Sequence, residues 1–98
     1  MTRSATQEPS WDPIRDALLK PGFRADLDFW IGSEPRVARR IMRLVEDVLR
    51  SPRSGMGKPE PLRHAERNVW SRRITAEHRF IYQISDQGPL FVRARYHY

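Results

Sequence analysis

Between residues 23 and 49 the apolar positions repeat at helical spacing, and from residue 69 onward they alternate. Phe23, Leu27, Trp30 and Ile31 fall at i, i+4, i+7 and i+8, one face of a helix that Gly32 stops. Ser33-Glu34-Pro35 restarts a second helix, with Ser33 or Glu34 as its cap and Pro35 in its first turn. Val37, Ala38, Ile41, Leu44, Val45, Val48 and Leu49 form its apolar stripe, and Arg36, Arg39, Arg40 and Arg43 occupy the remainder. So short a connection predicts an antiparallel helical hairpin.

Residues 51–61, SPRSGMGKPEP, hold three prolines and two glycines and read as a loop. Val69–Ile74, His78–Ser85 and Leu90–Tyr98 then alternate with near period 2 and read as strands. Thr75-Ala76-Glu77 and Asp86-Gln87-Gly88-Pro89 separate them as hairpin turns. Residues 14–20, IRDALLK, fit a first strand or a short helix that Pro21-Gly22 ends, and the strand is the expected choice. The fold class is therefore α+β, a small antiparallel sheet in β-α-α-β-β-β order with a two-helix hairpin on one face. Residues 1–13 are expected to be a disordered extension, and residues 14–98 a single domain.

Strand parity sorts the side chains. Phe80, Tyr82, Ile84, Leu90, Val92, Ala94 and Tyr96 are expected under the helices. Arg73, Arg79, Arg93, Arg95 and His97 are expected on the opposite face, with Phe91 among them. Like charges that dense repel one another unless an anion sits between them. Only Glu60, Glu66, Glu77 and Asp86 lie between residues 55 and 98, against eight Lys and Arg.

Composition sharpens this picture. Eighteen Lys and Arg oppose twelve Asp and Glu, and sixteen of the eighteen are arginine. Arginine forks onto phosphate and stacks on bases, so the balance suggests a polyanionic partner, nucleic acid first, beside the plainer reading of a solvated basic surface. There are no cysteines, hence no disulfides and no thiolate metal site, which fits a reducing cytoplasm. No apolar run approaches the roughly 20 residues of a membrane span. His64, His78 and His97 lack HxxxH or HExxH spacing, so no metal or other cofactor is expected.

Two stretches remain unexplained by folding. In GKPEPLRH, Lys58 and Glu60 each precede a proline, which pushes both toward extended backbone and stiffens a loop that carries an acid and a base. The chain also closes on RYHY, although large rings and a titratable group are seldom placed where chains fray.

GKPEPLRH, then WSRRIT-x-EHR, then RYHY, with DFW at 28–30, resemble the YoeB/Txe toxins of the RelE superfamily over residues 18–98. The resemblance implies a RelE-like domain that cleaves mRNA on the ribosome, with rRNA contacts, and is neutralised by a YefM/Axe-type antitoxin; a homodimer fits as well. It carries catalytic roles onto Glu60, Arg79, His97 and Tyr98. It carries substrate contacts onto Lys58, His64 and Arg73, and Arg95 joins these from the basic face. Where similar proteins have a glycine before Trp70, this chain has Asn68, which can supply the same left-handed backbone.

The residue types suit that chemistry. RNA brings its own nucleophile, the 2′-hydroxyl. Glu60 would take its proton, Arg79 with Arg73 would hold the phosphate, and His97 would protonate the leaving oxygen. Tyr98 and Tyr96 would stack a base or orient the imidazole. The alternative is a toxin of the same fold that acts by occupying the ribosome, nucleic acid or a protein target.

Overall fold

The two helices meet at a proline. The computed structural model describes residues 16–63 and 66–95, so the segment 1–13 expected to be disordered lies outside it. Helix α1 runs Pro21–Ser33 and α2 runs Pro35–Arg50. Glu34 between them takes φ −148° and ψ 86°, because the ring of Pro35 excludes helical backbone at the preceding residue. Its N–H still closes α1 onto the Trp30 carbonyl at 2.7 Å. Glu34 is the N-cap of α2 but makes no side-chain cap bond, and Ser33 instead donates to the Phe29 carbonyl. Pro21 also starts α1, at the position where a proline's missing N–H costs nothing.

The stripe expected on α2 is buried, with Val37 at its partly buried edge. On α1 the buried positions are Phe23, Asp26 and Trp30, while Ile31 is exposed. A charged residue thus occupies the inner face that Ile31 was expected to fill.

Five strands form the sheet, in the order β1-β5-β4-β3-β2. Strand β1 is Leu18–Leu19, β2 Glu60–Pro61, β3 Val69–Arg73, β4 Arg79–Ser85 and β5 Gly88–Arg93. All neighbours are antiparallel except β1, which pairs parallel to β5 through Leu18↔Leu90 and Leu19↔Phe91. The segment read as a loop therefore contains an edge strand. Gly57 accepts from the Arg73 N–H at 2.7 Å, Glu60 lies opposite Ser71, and the Leu62 N–H reaches the Val69 carbonyl at 2.8 Å.

The parity expected along β5 fails at one point. Tyr82 pairs with Phe91 but Ile81 pairs with Arg93, so Val92 is the extra residue of a β-bulge. The bulge reverses the phase. Phe91, expected outward, is fully buried, its ring centroid 5.5 Å from that of Phe23 and 5.8 Å from that of Phe80. Beyond the bulge Ala94 is buried as expected, while Leu90 and Val92 are only half-buried.

Arg72 faces the helices and is fully buried. Its guanidinium donates to Asp47 Oδ2 at 2.6 Å and to the carbonyls of Ser51 (2.6 Å), Ser54 (2.9 Å) and Met56 (3.1 Å). It also donates to the Tyr82 hydroxyl, which in turn donates to the Pro52 carbonyl at 2.6 Å. One cation thus gathers the turn after α2 and delivers the chain to β2. Burial alone would push the Asp47 carboxyl up, but the Arg72 and Met56 hydrogen bonds and the charges of Arg72 and Arg50 hold it below its ordinary value. Burial pushes the Tyr82 phenol up, so it stays a neutral donor, although Arg72 opposes the shift.

Gly57 closes this turn at φ 80°. A Cβ there would lie 2.9 Å from Leu44 Cδ2 and 3.1 Å from the Arg73 carbonyl oxygen. Gly57→Ala adds left-handed strain to a collision with the β3 backbone. It is expected to lower the unfolding free energy by about 2–3 kcal/mol, read from urea denaturation.

Candidate active site

Glu60 reaches the sheet face opposite the helices because β2 is pinned along β3. Arg79 reaches it as the first residue of β4, opposite Arg73. Arg79 Nη1 donates to Glu60 Oε1 at 2.8 Å and to Ser71 Oγ at 3.4 Å. The Glu60 side chain is 59% exposed and that of Arg79 24%, so an anion approaching from solvent can reach both. Ser71 and Ile81, which share this face, are buried and give the pair a floor from which water is excluded. Charges act more strongly above such a floor than in bulk water. Beside Glu60 an open depression of about 380 Å³ is lined by Glu60, Pro61, Leu62 and Arg63.

Lys58 is exposed next to this pair, but its backbone is not the extended one expected before Pro59. It takes φ 52°, the left-handed region. The tertiary demand overrides the local preference, because the chain must turn between the Gly57 bond to Arg73 and the Glu60 pairing with Ser71. Asn68 takes φ 62°, as expected of a residue standing in for glycine.

Arg73 is exposed at the end of β3, and its carbonyl accepts from Arg40 Nη2 at 3.2 Å. Arg40 Nε also holds the Ile74 carbonyl at 2.7 Å, which ties α2 to the turn between β3 and β4. Within that turn the Thr75 hydroxyl accepts the N–H groups of Glu77 and His78.

The expected cluster of like charges is kept at Arg73 and Arg79, which lie opposite each other, and is relieved at Arg93 and Arg95. Arg93 Nε and Nη2 pair with Asp26 at 2.9 and 3.3 Å, and Arg95 lies 3.5 Å over the Phe29 ring. The acids that neutralise Arg93 and Arg72 come from the helices, as Asp26 and Asp47, and not from the strand half of the chain. Of the residues to which the resemblance gives catalytic roles, Glu60 and Arg79 are in contact. His64, Tyr96, His97 and Tyr98 lie outside the described residues.

His78 donates its N–H to the Thr75 hydroxyl and accepts the Ile74 and Thr75 N–H groups at its carbonyl, while its ring meets Trp30 edge-on at 4.9 Å with Nδ1 buried and without a hydrogen-bond partner among the described residues. Asp26 was not singled out in the sequence, Trp30 was read only as an apolar position and family aromatic, and the burial of Arg72 was not expected. The available signal for Arg72 was its parity with Trp70 and Ile74, which places a charge on the buried face. Among the described residues no three His, Asp or Glu converge as metal ligands would. No described helix is long and apolar enough to cross a membrane.

The sequence profile of the YoeB-like toxins of bacterial type II toxin–antitoxin systems matches residues 20–98. Toxin YoeB of Escherichia coli K12 is 40% identical over 91 residues, covering 93% of each chain. Toxin RelK of Mycobacterium tuberculosis is 42% identical over 85 residues, 87% of this chain and all of the relative. Among solved structures, a YoeB/ParE toxin from Agrobacterium tumefaciens superposes with a TM-score of 0.80 at 37% identity, over 86% of this chain and all of that one. The toxin in a YoeB–YefM complex from Staphylococcus aureus superposes with a TM-score of 0.75 at 27% identity, over 85% of this chain and 97% of that one.

Proposed function

The chain belongs to the YoeB-like toxin family of type II toxin–antitoxin systems, and on that premise we propose that it is a metal-independent endoribonuclease that cuts mRNA on the ribosome. The observation that carries the reading is the Glu60–Arg79 pair, 2.8 Å apart and open to solvent on a ladder-pinned edge. A structural ion pair needs neither that exposure nor the buried Ser71 and Ile81 beneath it.

An RNA phosphate entering the site competes with Glu60 for the Arg79 guanidinium. As phosphate takes those donors, the Glu60 carboxylate is released beside the substrate and accepts the proton of the 2′-hydroxyl. The 2′-oxygen bonds to phosphorus, and Arg79 and Arg73 stabilise the charge on the non-bridging oxygens. The bond from phosphorus to the 5′-oxygen breaks, and the protonated His97 imidazole gives that oxygen its proton. The products are a 2′,3′-cyclic phosphate and a 5′-hydroxyl. Tyr98 stacks a base or orients His97, and Lys58, His64 and Arg95 contact the flanking RNA.

Chain reach supports placing His97 here. Ile81 pairs with Arg93. Arg79 stands two residues from Ile81, about 7 Å along the strand. Residue 97 lies three residues beyond Ala94, within about 10 Å of extended chain. The S. aureus relative is seen in complex with YefM, and an antitoxin of that kind is the partner proposed for this chain.

The test incubates purified protein with ribosomes translating a defined mRNA and identifies the end groups of any fragments. Fragments with cyclic phosphate and 5′-hydroxyl ends are expected, and His97→Ala should form them about 100- to 10,000-fold more slowly, a residual rate read with excess protein over long incubation. Translation arrest with intact mRNA would instead mean action by occupancy.

A further inference from the structure

Strand β1 is only two residues long, so beyond Phe91 the outer edge of β5 loses its strand partner. Helix α1 takes over. Asp26 Oδ2 accepts the Ala94 N–H at 2.9 Å, and Trp30 Nε1 donates to the Ala94 carbonyl at 2.8 Å. Residues four apart lie on one helix face, so these two side chains reproduce the acceptor and donor that a neighbouring strand would offer. The same carboxylate holds Arg93, and Phe29 on the next turn carries Arg95. Asp26, Trp30 and Ala94 are all buried. Three consecutive residues past the β-bulge are thus each gripped by α1.

Chain ends fray unless they are tied down. A carboxylate that is 4% exposed, at a helix position where an apolar residue would pack without a desolvation cost, needs a reason. We propose that Asp26 and Trp30 are positioning residues. They fix the backbone at Ala94, and so the point and direction from which the tail bearing His97 departs. The inference rests on the reading of His97 as the general acid. Displacements of about 1 Å at a reacting group cost up to about 100-fold in rate. Asp26→Ala should therefore lower kcat while leaving RNA binding at the Glu60–Arg79 pair intact.

The experiment measures kcat and KM for mRNA cleavage on the ribosome with Asp26→Ala, Asp26→Asn and Trp30→Phe. Each is made in the wild-type and His97→Ala backgrounds, with thermal unfolding followed alongside. Asp26→Ala is expected to lower kcat by about 10- to 100-fold with KM changed less than about twofold. In the His97→Ala background it should cause no further loss, because there is no acid left to misplace. Asp26→Asn keeps an oxygen for the Ala94 N–H and should fall less. Trp30→Phe keeps the ring on His78 and removes only the bond to the Ala94 carbonyl, so it serves where Asp26→Ala does not fold. Equal losses in both backgrounds would reduce the grip to general stability and overturn the proposal. So would wild-type kcat in Asp26→Ala and Trp30→Phe when His97→Ala is slowed. Full activity of His97→Ala itself would remove His97 as the general acid, and this proposal with it, while leaving the nuclease reading standing; intact mRNA with every protein, wild type included, would bring that reading down.

Discussion

Arg79→Ala is expected to abolish measurable cleavage, lowering kcat by about 100- to 1,000-fold, the loss that follows removal of a principal donor to a developing negative charge. In the proposed mechanism the side chain has two tasks, to hold Glu60 in place before substrate arrives, through the 2.8 Å bond, and to take the phosphate afterwards. Lysine should restore only part of the rate, because a point charge lacks the planar fork with which a guanidinium meets two phosphate oxygens. Stability should hardly move. The pair is solvent-facing, with Glu60 59% exposed, and such pairs contribute about 0–1 kcal/mol. Removing Arg79 also relieves its repulsion with Arg73 across the ladder. An inactive protein with an unchanged unfolding midpoint is the expected result. Cleavage within about threefold of wild type would remove Arg79 from the chemistry.

The largest expected loss of stability comes from the neighbouring arginine. Arg72→Met should lower the unfolding free energy by about 3–5 kcal/mol, measured by urea denaturation, because it strands a buried ionic network. Asp47 would keep the Met56 N–H and the neighbouring Arg50, but three loop carbonyls would lose their donor. A domain of this size has roughly 5–15 kcal/mol in total, so the variant should stand close to unfolding. Activity should fall with it, since the turn gathered by Arg72 delivers Glu60.

The network also sets an acid limb. Burial alone would push the Asp47 carboxyl of the folded protein up, but it lies below its ordinary value of 3.8, because the Arg72 and Met56 hydrogen bonds and the charges of Arg72 and Arg50 outweigh that effect. Its contribution to stability is therefore complete above the unfolded value and lost as pH falls through the folded one. Wild-type stability should decline as pH drops below about 4, and Asp47→Asn should flatten that decline.

Much of the fold was legible because it rests on short-range rules. The α2 stripe and the break between the helices each follow from a residue and its immediate neighbours, although the break falls at Glu34 and not at Gly32; the left-handed Asn68 followed from the resemblance. Glu60 and Arg79 were legible as members of one candidate site, and strand order brings them into contact. What escaped was decided over long distances. Asp26 meets Arg93 across 67 positions and Asp47 meets Arg72 across 25, so acids sought near the basic strands were sought in the wrong half of the chain. The bulge at Val92 escaped because strict alternation carries no sign of an inserted residue; only packing of Phe91 against Phe23 and Phe80 selects the reversed phase. Strand β2 escaped because its two residues are a glutamate and a proline, both poor strand formers, held there by bonds from β3.

Primer extension on cellular transcripts after brief induction, comparing wild type with His97→Ala, tests most directly whether one carboxylate, one guanidinium and one imidazole act on a single phosphodiester. Wild type should produce new, discrete 5′ ends within translated regions, and His97→Ala should produce none while folding normally. The same 5′ ends at equal intensity from both proteins, or growth arrest by wild type with every transcript intact, would contradict it.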